Sequence, residues 1–144
     1  MASFLFNGVR KHPELQVVGE VSDGVEAIEK AKELKPDLIL LDIGLPTLNG
    51  IAAAQLIREF FPECKILIVS ENRSTDIVEK ALRSGAGGYV LKSDVGSELL
   101  PAIEAVLEGK RFISASLAGQ FVVAATLTTT QMLSWIITLI SGTH

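Results

Sequence analysis

Cysteine occurs once in this 144-residue chain, so no intrachain disulfide can staple it. That residue, Cys64, follows Pro62-Glu63 and precedes an apolar run with no evident activator. It reads as a half-buried structural thiol. Histidine is nearly as scarce. His12 and His144 have no ligand-like spacing, which argues against zinc. His12 is also remote from every expected strand end, so no nucleophile–histidine–acid arrangement of a hydrolase appears. Lys and Arg form no cluster and the formal net charge is -4, so the surface as a whole does not attract nucleic acid. The uncharged start, Met1 to Phe6, is too short for a secretory leader, which makes a cytoplasmic location the expectation. Acidic residues are missing before Glu14. Asp, Glu, Lys and Arg are all missing after Arg111. This second gap is the clearest internal boundary, dividing residues 1–117 from an uncharged apolar tail, 118–144. The remaining composition, 48% hydrophobic and 21% charged, fits one soluble domain with its own core.

From Leu15 to about Arg111, short β-branched runs alternate with helical patterns. Gln16 to Val21 reads as a strand. Ser22-Asp23 can cap a helix with Ala27, Ile28, Ala31 and Leu34 on one stripe, stopped by Lys35-Pro36-Asp37. Leu38-Ile39-Leu40-Leu41 is a continuous apolar run, as expected of a strand covered on both faces. A loop with Gly44, Pro46, Asn49 and Gly50 leads to a helix from Ile51 to Phe61, ended by Pro62. Lys65 to Ser70 is the next strand. Ser74 or Thr75 can cap a third helix with Ile77, Val78, Ala81 and Leu82 inward, closed by Ser84-Gly85-Ala86-Gly87. Gly88 to Leu91 is a short buried strand. The last helix carries Leu100, Ile103, Val106 and Leu107 and ends at Gly109. Pro101 fits best at its first position, which implies a late start.

This alternation implies an α/β fold: a parallel sheet with helices on both faces. Sites in such sheets lie at the carboxyl ends of the strands. The residues there are Asp42, Ser70 and Lys92. An aspartate in that position can attack phosphorus and become an acyl phosphate. The reaction needs positive charge near the phosphoryl oxygens. Lys92 can supply it and Ser70 can donate a hydrogen bond. A divalent cation, magnesium by its preference for oxygen, would be the other charge. Each residue alone has a plainer reading: a turn-forming Asp, a solvated Lys, a Ser bonded to its own backbone, a core Tyr89. Their order and their places at matching strand ends give the functional reading its weight.

The segment Asp37-Leu38-Ile39-Leu40-Leu41-Asp42-Ile43-Gly44-Leu45-Pro46-Thr47-Leu48-Asn49-Gly50 resembles the phosphoacceptor region of response-regulator receivers. Ile66 to Ser70 resembles their strand ending in a small hydroxyl residue. Gly85 to Lys92 resembles the segment with the switch aromatic and the lysine. Val17-Val18-Gly19-Glu20, Asp23-Gly24 and Gly109 to Ser114 are most similar to the NarL/FixJ (LuxR-type) class. The resemblance covers residues 8 to 117. It implies a flavodoxin-like (CheY-like) doubly wound parallel sheet and phosphotransfer from a sensor histidine kinase to Asp42. Ser70 and Lys92 would bind the phosphoryl group, and Ser70 with Tyr89 would form the switch pair. Magnesium would be held by Asp42 and the backbone carbonyl of Gly44. A partner or attached output domain would read the surface around the helix after Ser70, the strand of Tyr89 and the helix after Lys92. The chemistry would be signalling rather than enzymatic turnover, limited to self-catalysed phosphotransfer and dephosphorylation.

Two features depart from that pattern. The family opens with an apolar strand ending in an acidic pair that holds the metal, and the acidic pair is absent here. Ser3 to His12 resembles part of the first helix instead. In the family's strand order 2-1-3-4-5 the missing strand is central, so its neighbours would carry unpaired backbone groups. The second departure is the tail, too short for the helix-turn-helix DNA-binding domain usual in this class. It reads as a remnant of a linker and output domain, so DNA would be a partner only through a domain absent here. A membrane span over Phe121 to Ile140 is opposed by its Thr-Thr-Thr-Gln centre and the lack of flanking basic residues. Phe121 to Ala125 and Trp135 to Ile140 are β-prone. The second has the length and apolarity to fill the gap in the sheet, from the same chain or by exchange in a homodimer. The alternative is a tail packed loosely outside. Beside the phosphorylated receiver stands a second reading, a phosphorylation-independent interaction module or truncated regulator.

Overall fold

The computed structural model describes residues 15–21, 23–43, 49–118 and 138–142. Its elements in chain order are β1 (Leu15–Glu20), α1 (Gly24–Leu34), β2 (Leu38–Asp42), α2 (Gly50–Phe60), β3 (Lys65–Ser70) and α3 (Thr75–Arg83). There follow β4 (Gly88–Leu91), a 3-10 turn (Lys92–Asp94), α4 (Val95–Leu107), β5 (Phe112–Ile113), α5 (Ala115–Ala118) and β6 (Thr138–Gly142). The resemblance of Ser3 to His12 to a helix, the loop residues Gly44 and Pro46, and the β-prone Phe121 to Ala125 lie outside the described residues, as does most of the span considered for a membrane. No helix among the described residues is long and apolar enough to cross a membrane.

Local chemistry sets most of these boundaries. The Asp23 side chain accepts from the Glu26 amide at 2.8 Å, filling one of the orphan donors at the start of α1. Lys35 ends that helix in the left-handed region, φ 46°. Asn49 caps α2 in the same way, its Oδ1 accepting from the Ala52 amide at 2.9 Å. Gly85, φ 108°, turns the chain out of α3 into β4, a backbone conformation that glycine adopts without steric cost. Pro101 departs from expectation. It lies inside α4, whose helix starts early, at Val95. An interior proline costs about 3 kcal/mol. Here the ring is exposed, while Val95, Leu99, Ala102, Ile103 and Val106 bury the other face. At roughly 2 kcal/mol per large buried side chain, that face outweighs the lost hydrogen bond.

The six strands form one sheet in the order β1-β6-β2-β3-β4-β5. β2, β3, β4 and β5 are parallel, with Leu38 opposite Lys65 and Asp42 opposite Val69 in the first pair. Leu38 to Leu41 and Ile66 to Val69 are at most 1% exposed, as both faces of these strands are covered. Cys64 is fully buried, deeper than its sequence context implied, and its Sγ points to the Lys65 carbonyl at 3.4 Å. Burial pushes its thiol up to about 12.

The central place beside β2 is filled from the tail. β6 runs antiparallel to both neighbours, pairing Leu15 with Gly142 through Glu20 with Thr138 on one side. On the other side it pairs Leu38 with Ile140 and Ile39 with Leu139. An irregularity between Val17 and Gly19 interrupts the β1 ladder. β6, Thr138–Gly142, shares Thr138 to Ile140 with the segment expected from β-propensity, and residues 135–137 lie outside the described part. The tail therefore supplies backbone partners to two strands that are not paired with each other. Because β6 has a neighbour on each side, Ile140→Pro removes a ladder donor from the sheet interior. Urea denaturation should show a loss of about 3 kcal/mol or more. An unchanged transition would contradict the insertion. Cys64 gives a second check: in the folded chain at neutral pH it should resist alkylation and react only as fast as the protein unfolds. Rapid labelling of the native chain would contradict its burial.

Candidate functional site

Parallel pairing brings the ends of β2, β3 and β4 to one edge. Asp42 ends β2, Ser70 ends β3 opposite Leu91, and Lys92 follows β4 directly. The ends of β2 and β4 stand two strand spacings apart, about 9.6 Å. A lysine can cross that span, and Lys92 does: its Nζ donates to Asp42 Oδ2 at 2.6 Å. The strand crossed ends in a small residue, Ser70. The paired side chains are 24% and 25% exposed, so solvent reaches them without surrounding them. With Ile43, Ser70, Glu71 and Asn72 they line an open cleft of about 430 Å³.

The backbone under Asp42 depends on Gly50. The first residue of α2 donates its amide to the Ile43 carbonyl at 3.0 Å. A Cβ at Gly50 would stand 2.4 Å from the Asp42 carbonyl oxygen. Glycine is therefore required by a close approach of two backbones, not only as loop punctuation.

Tyr89 is fully buried, and its hydroxyl donates to the Asn72 carbonyl at 2.7 Å. The Asn72 amide donates to Ser70 Oγ at 3.0 Å, and Asn72 Oδ1 accepts from the Ser74 amide at 2.8 Å. Asn72 thus links the tyrosine to the serine at the cleft. Burial holds the Tyr89 phenol above its ordinary value of 10.0; hydrogen bonding from the Ser70 side chain opposes this, and the Asp42 charge reinforces it. On the other side of β4, buried Ser114 accepts from the Leu91 amide at 2.8 Å and donates its own amide to the Tyr89 carbonyl at 3.0 Å. Sequence reading found Asp42, Ser70, Tyr89 and Lys92, and the fold brings all four together. It missed Asn72, Glu71 and Ser114. An Asn in a loop and a Ser after a strand are too common to signal a role. Gly44 lies outside the described residues.

Receiver domains generally bind magnesium at the phosphorylation site. The side chains present here fit that ion poorly. Among the described residues no three His, Cys, Asp or Glu side chains cluster to hold a metal. Asp42 already holds an ammonium at 2.6 Å, and the other carboxylate of the cleft, Glu71, is exposed. The loop 44–48 and residues 119–137 contain no acidic residue.

The family model described as the response regulator receiver domain matches residues 3–104. The chain is 36% identical over 106 residues to the response regulator GacA of Pseudomonas viridiflava, covering 74% of this chain and 50% of that protein. It is 38% identical over 114 residues to the oxygen regulatory protein NreC of Staphylococcus aureus, covering 76% and 52%. The chain thus spans about half the length of these relatives. Among solved structures, a LuxR-family two-component response regulator from Aurantimonas sp. SI85-9A1 superposes with a TM-score of 0.69 at 34% identity, over 76% of this chain and 78% of that one.

Tyr89 is the chain's one tyrosine, so its ionisation can be followed by ultraviolet absorbance. The phenol should titrate above 10.0 in the folded protein, and Asp42→Asn should lower the midpoint by removing a negative charge that disfavours tyrosinate. A midpoint that Asp42→Asn leaves in place or raises would separate Tyr89 from the cleft.

Proposed function

Because this chain belongs to the response regulator receiver family, whose general function is phosphorylation-dependent switching, we propose that Asp42 is its phosphoryl acceptor and a sensor histidine kinase the donor. The observation that carries this reading is the Lys92–Asp42 contact at 2.6 Å, with the end of β3 and Ser70 between the two strands. Lys92 holds Oδ2, and the other carboxylate oxygen is the nucleophile. It forms a bond to phosphorus as the phosphorus–nitrogen bond of the donor phosphohistidine breaks. The electron pair leaves with the imidazole nitrogen, which then takes up a proton. Lys92 moves from the carboxylate to a phosphoryl oxygen, and Ser70 donates its hydroxyl to another; both act on charge that develops during transfer. Hydrolysis of the acyl phosphate by water, without a separate enzyme, resets the site.

Switching follows from the bonds that Ser70 already shares. Drawing its hydroxyl toward a phosphoryl group loads the Asn72 amide and, through the Asn72 carbonyl, the Tyr89 hydroxyl. The surface that changes is built by α3, β4 and α4. In this reading residues 1–117 form the receiver, acting in the cytoplasm on a protein partner or a transcriptional output. DNA contact belongs to a separate output domain, and a homodimer is one form of partner. A second reading, a module that binds its partner without phosphorylation, is favoured by the poor fit of the cleft to a divalent ion.

Acetyl phosphate should add one phosphoryl group to the intact protein, and Asp42→Asn should abolish the addition. Lys92→Ala should slow it about a hundredfold, the usual cost of removing one charge-stabilising donor. Labelling that survives Asp42→Asn would place the acceptor elsewhere.

A further inference from the structure

At Ser114 a side-chain hydroxyl stands in for a backbone carbonyl. β5 pairs with β4 through Phe112 with Gly88 and Ile113 with Tyr89. Ser114 carries the ladder one residue further, its amide donating to the Tyr89 carbonyl at 3.0 Å. In a parallel ladder its carbonyl would then take the Leu91 amide. That amide donates instead to Ser114 Oγ at 2.8 Å. The Ser114 carbonyl is turned away and accepts from the Leu117 amide at 2.8 Å, closing the turn of α5. The same turn places Leu117 in the core, fully buried. One carbonyl thus has two claimants, the amides of Leu91 and Leu117, and the hydroxyl lets both be satisfied. Glu98 of α4 completes the joint. Its Oε2 accepts from the Ala115 amide at 3.0 Å, while its buried Oε1 has no hydrogen-bond partner among the described residues. An unmet buried acceptor costs free energy, so the joint holds this arrangement against a cost. Leu91 is one peptide bond from Lys92, whose ammonium is tied to Asp42 two strands away. β5 lies on the far side of β4 from β2, so that tie pulls the end of β4 away from Ser114.

Resting on the acceptor reading above for its trigger, we propose that Ser114 is a two-state joint through which the cleft sets where the chain leaves the sheet. In the arrangement seen here the hydroxyl holds Leu91, α5 is closed and Leu117 is docked. A phosphoryl group on Asp42 extends toward Lys92, so the pull on β4 slackens. The end of β4 relaxes toward β5, the Ser114 carbonyl takes the Leu91 amide, and the turn of α5 opens. The chain passes through α5 into residues 119–137. The signal therefore leaves the receiver along the chain itself, as a change between two discrete arrangements of the same groups.

Residue-resolved amide exchange of the full chain tests the joint. Ser114→Ala leaves one carbonyl for two amides. Leu117 should then exchange at least about tenfold faster, while Leu91 stays within about threefold of the natural sequence. Any other pattern overturns the proposal, whether both amides stay protected, both lose protection or Leu91 alone does. Lys92→Ala cuts the tie to Asp42 without touching the joint, and it should speed Leu117 at least about threefold with Leu91 still protected. A Leu117 amide that Lys92→Ala leaves unchanged or slows overturns the coupling to the cleft. If Ser114→Ala does not fold, Lys92→Ala decides alone. Acetyl phosphate treatment of the natural sequence separates this proposal from the acceptor reading. Labelling of Asp42 that speeds Leu117 exchange supports both. Labelling of Asp42 that leaves Leu117 unchanged keeps the acceptor and overturns the joint. No labelling of Asp42 overturns the acceptor reading, and the two variants then rule on the joint.

Discussion

A strand inside a sheet has two ladders to fill, and every backbone group left without a partner in a dry place costs on the order of 1–3 kcal/mol. That constraint governs this molecule more than any side chain does. β1 and β2 are consecutive strands that do not pair with each other; both pair with β6. The tail, 20 residues beyond the last helix described before it, supplies the backbone partners that join β1 and α1 to the rest of the sheet. It does so at the cost of direction, since an antiparallel strand stands in a sheet whose other pairs are parallel. The β1–β6 register also shifts between Val17 and Gly19.

The site is a product of the same sheet. Three adjacent strands end at one edge, and each delivers one polar group. The middle strand ends in a small residue, so Lys92 can reach Asp42 across it. Backbone proximity at Gly50 holds the base of the cleft, and the Ser114 hydroxyl anchors the end of β4. Ser70 and Tyr89 then meet through a single loop residue, Asn72. Rearrangement at Ser70 can reach a buried aromatic without any change in strand pairing.

Most of this was legible in the sequence because local and global signals agree. Leu38 to Leu41 reads as a buried parallel strand and is one. Asp23 stands where a helix needs an acceptor. Asp42, Ser70 and Lys92 follow strand ends, where an α/β sheet places its chemistry. What was not legible depends on context that no short window contains. Pro101 looks like a helix start because its ring forbids an interior hydrogen bond, yet five buried neighbours hold α4 through it. Asn72 acts mainly through its backbone, which sequence does not advertise. β-propensity favoured Trp135 to Ile140 as a strand, and the pairing with β1 carries it on to Gly142, two residues past Ile140. Propensity says that a segment can be a strand; only the sheet decides which residues face which.

The insertion of β6 is the claim on which the sheet rests, and amide hydrogen exchange reads it directly. The amides of Leu139 and Ile140 should exchange as slowly as those of Leu40 and Leu41, through the same global opening. If they exchange at the rate of an unstructured chain while the β2 amides stay protected, the tail is not part of the sheet and this account of the fold is wrong.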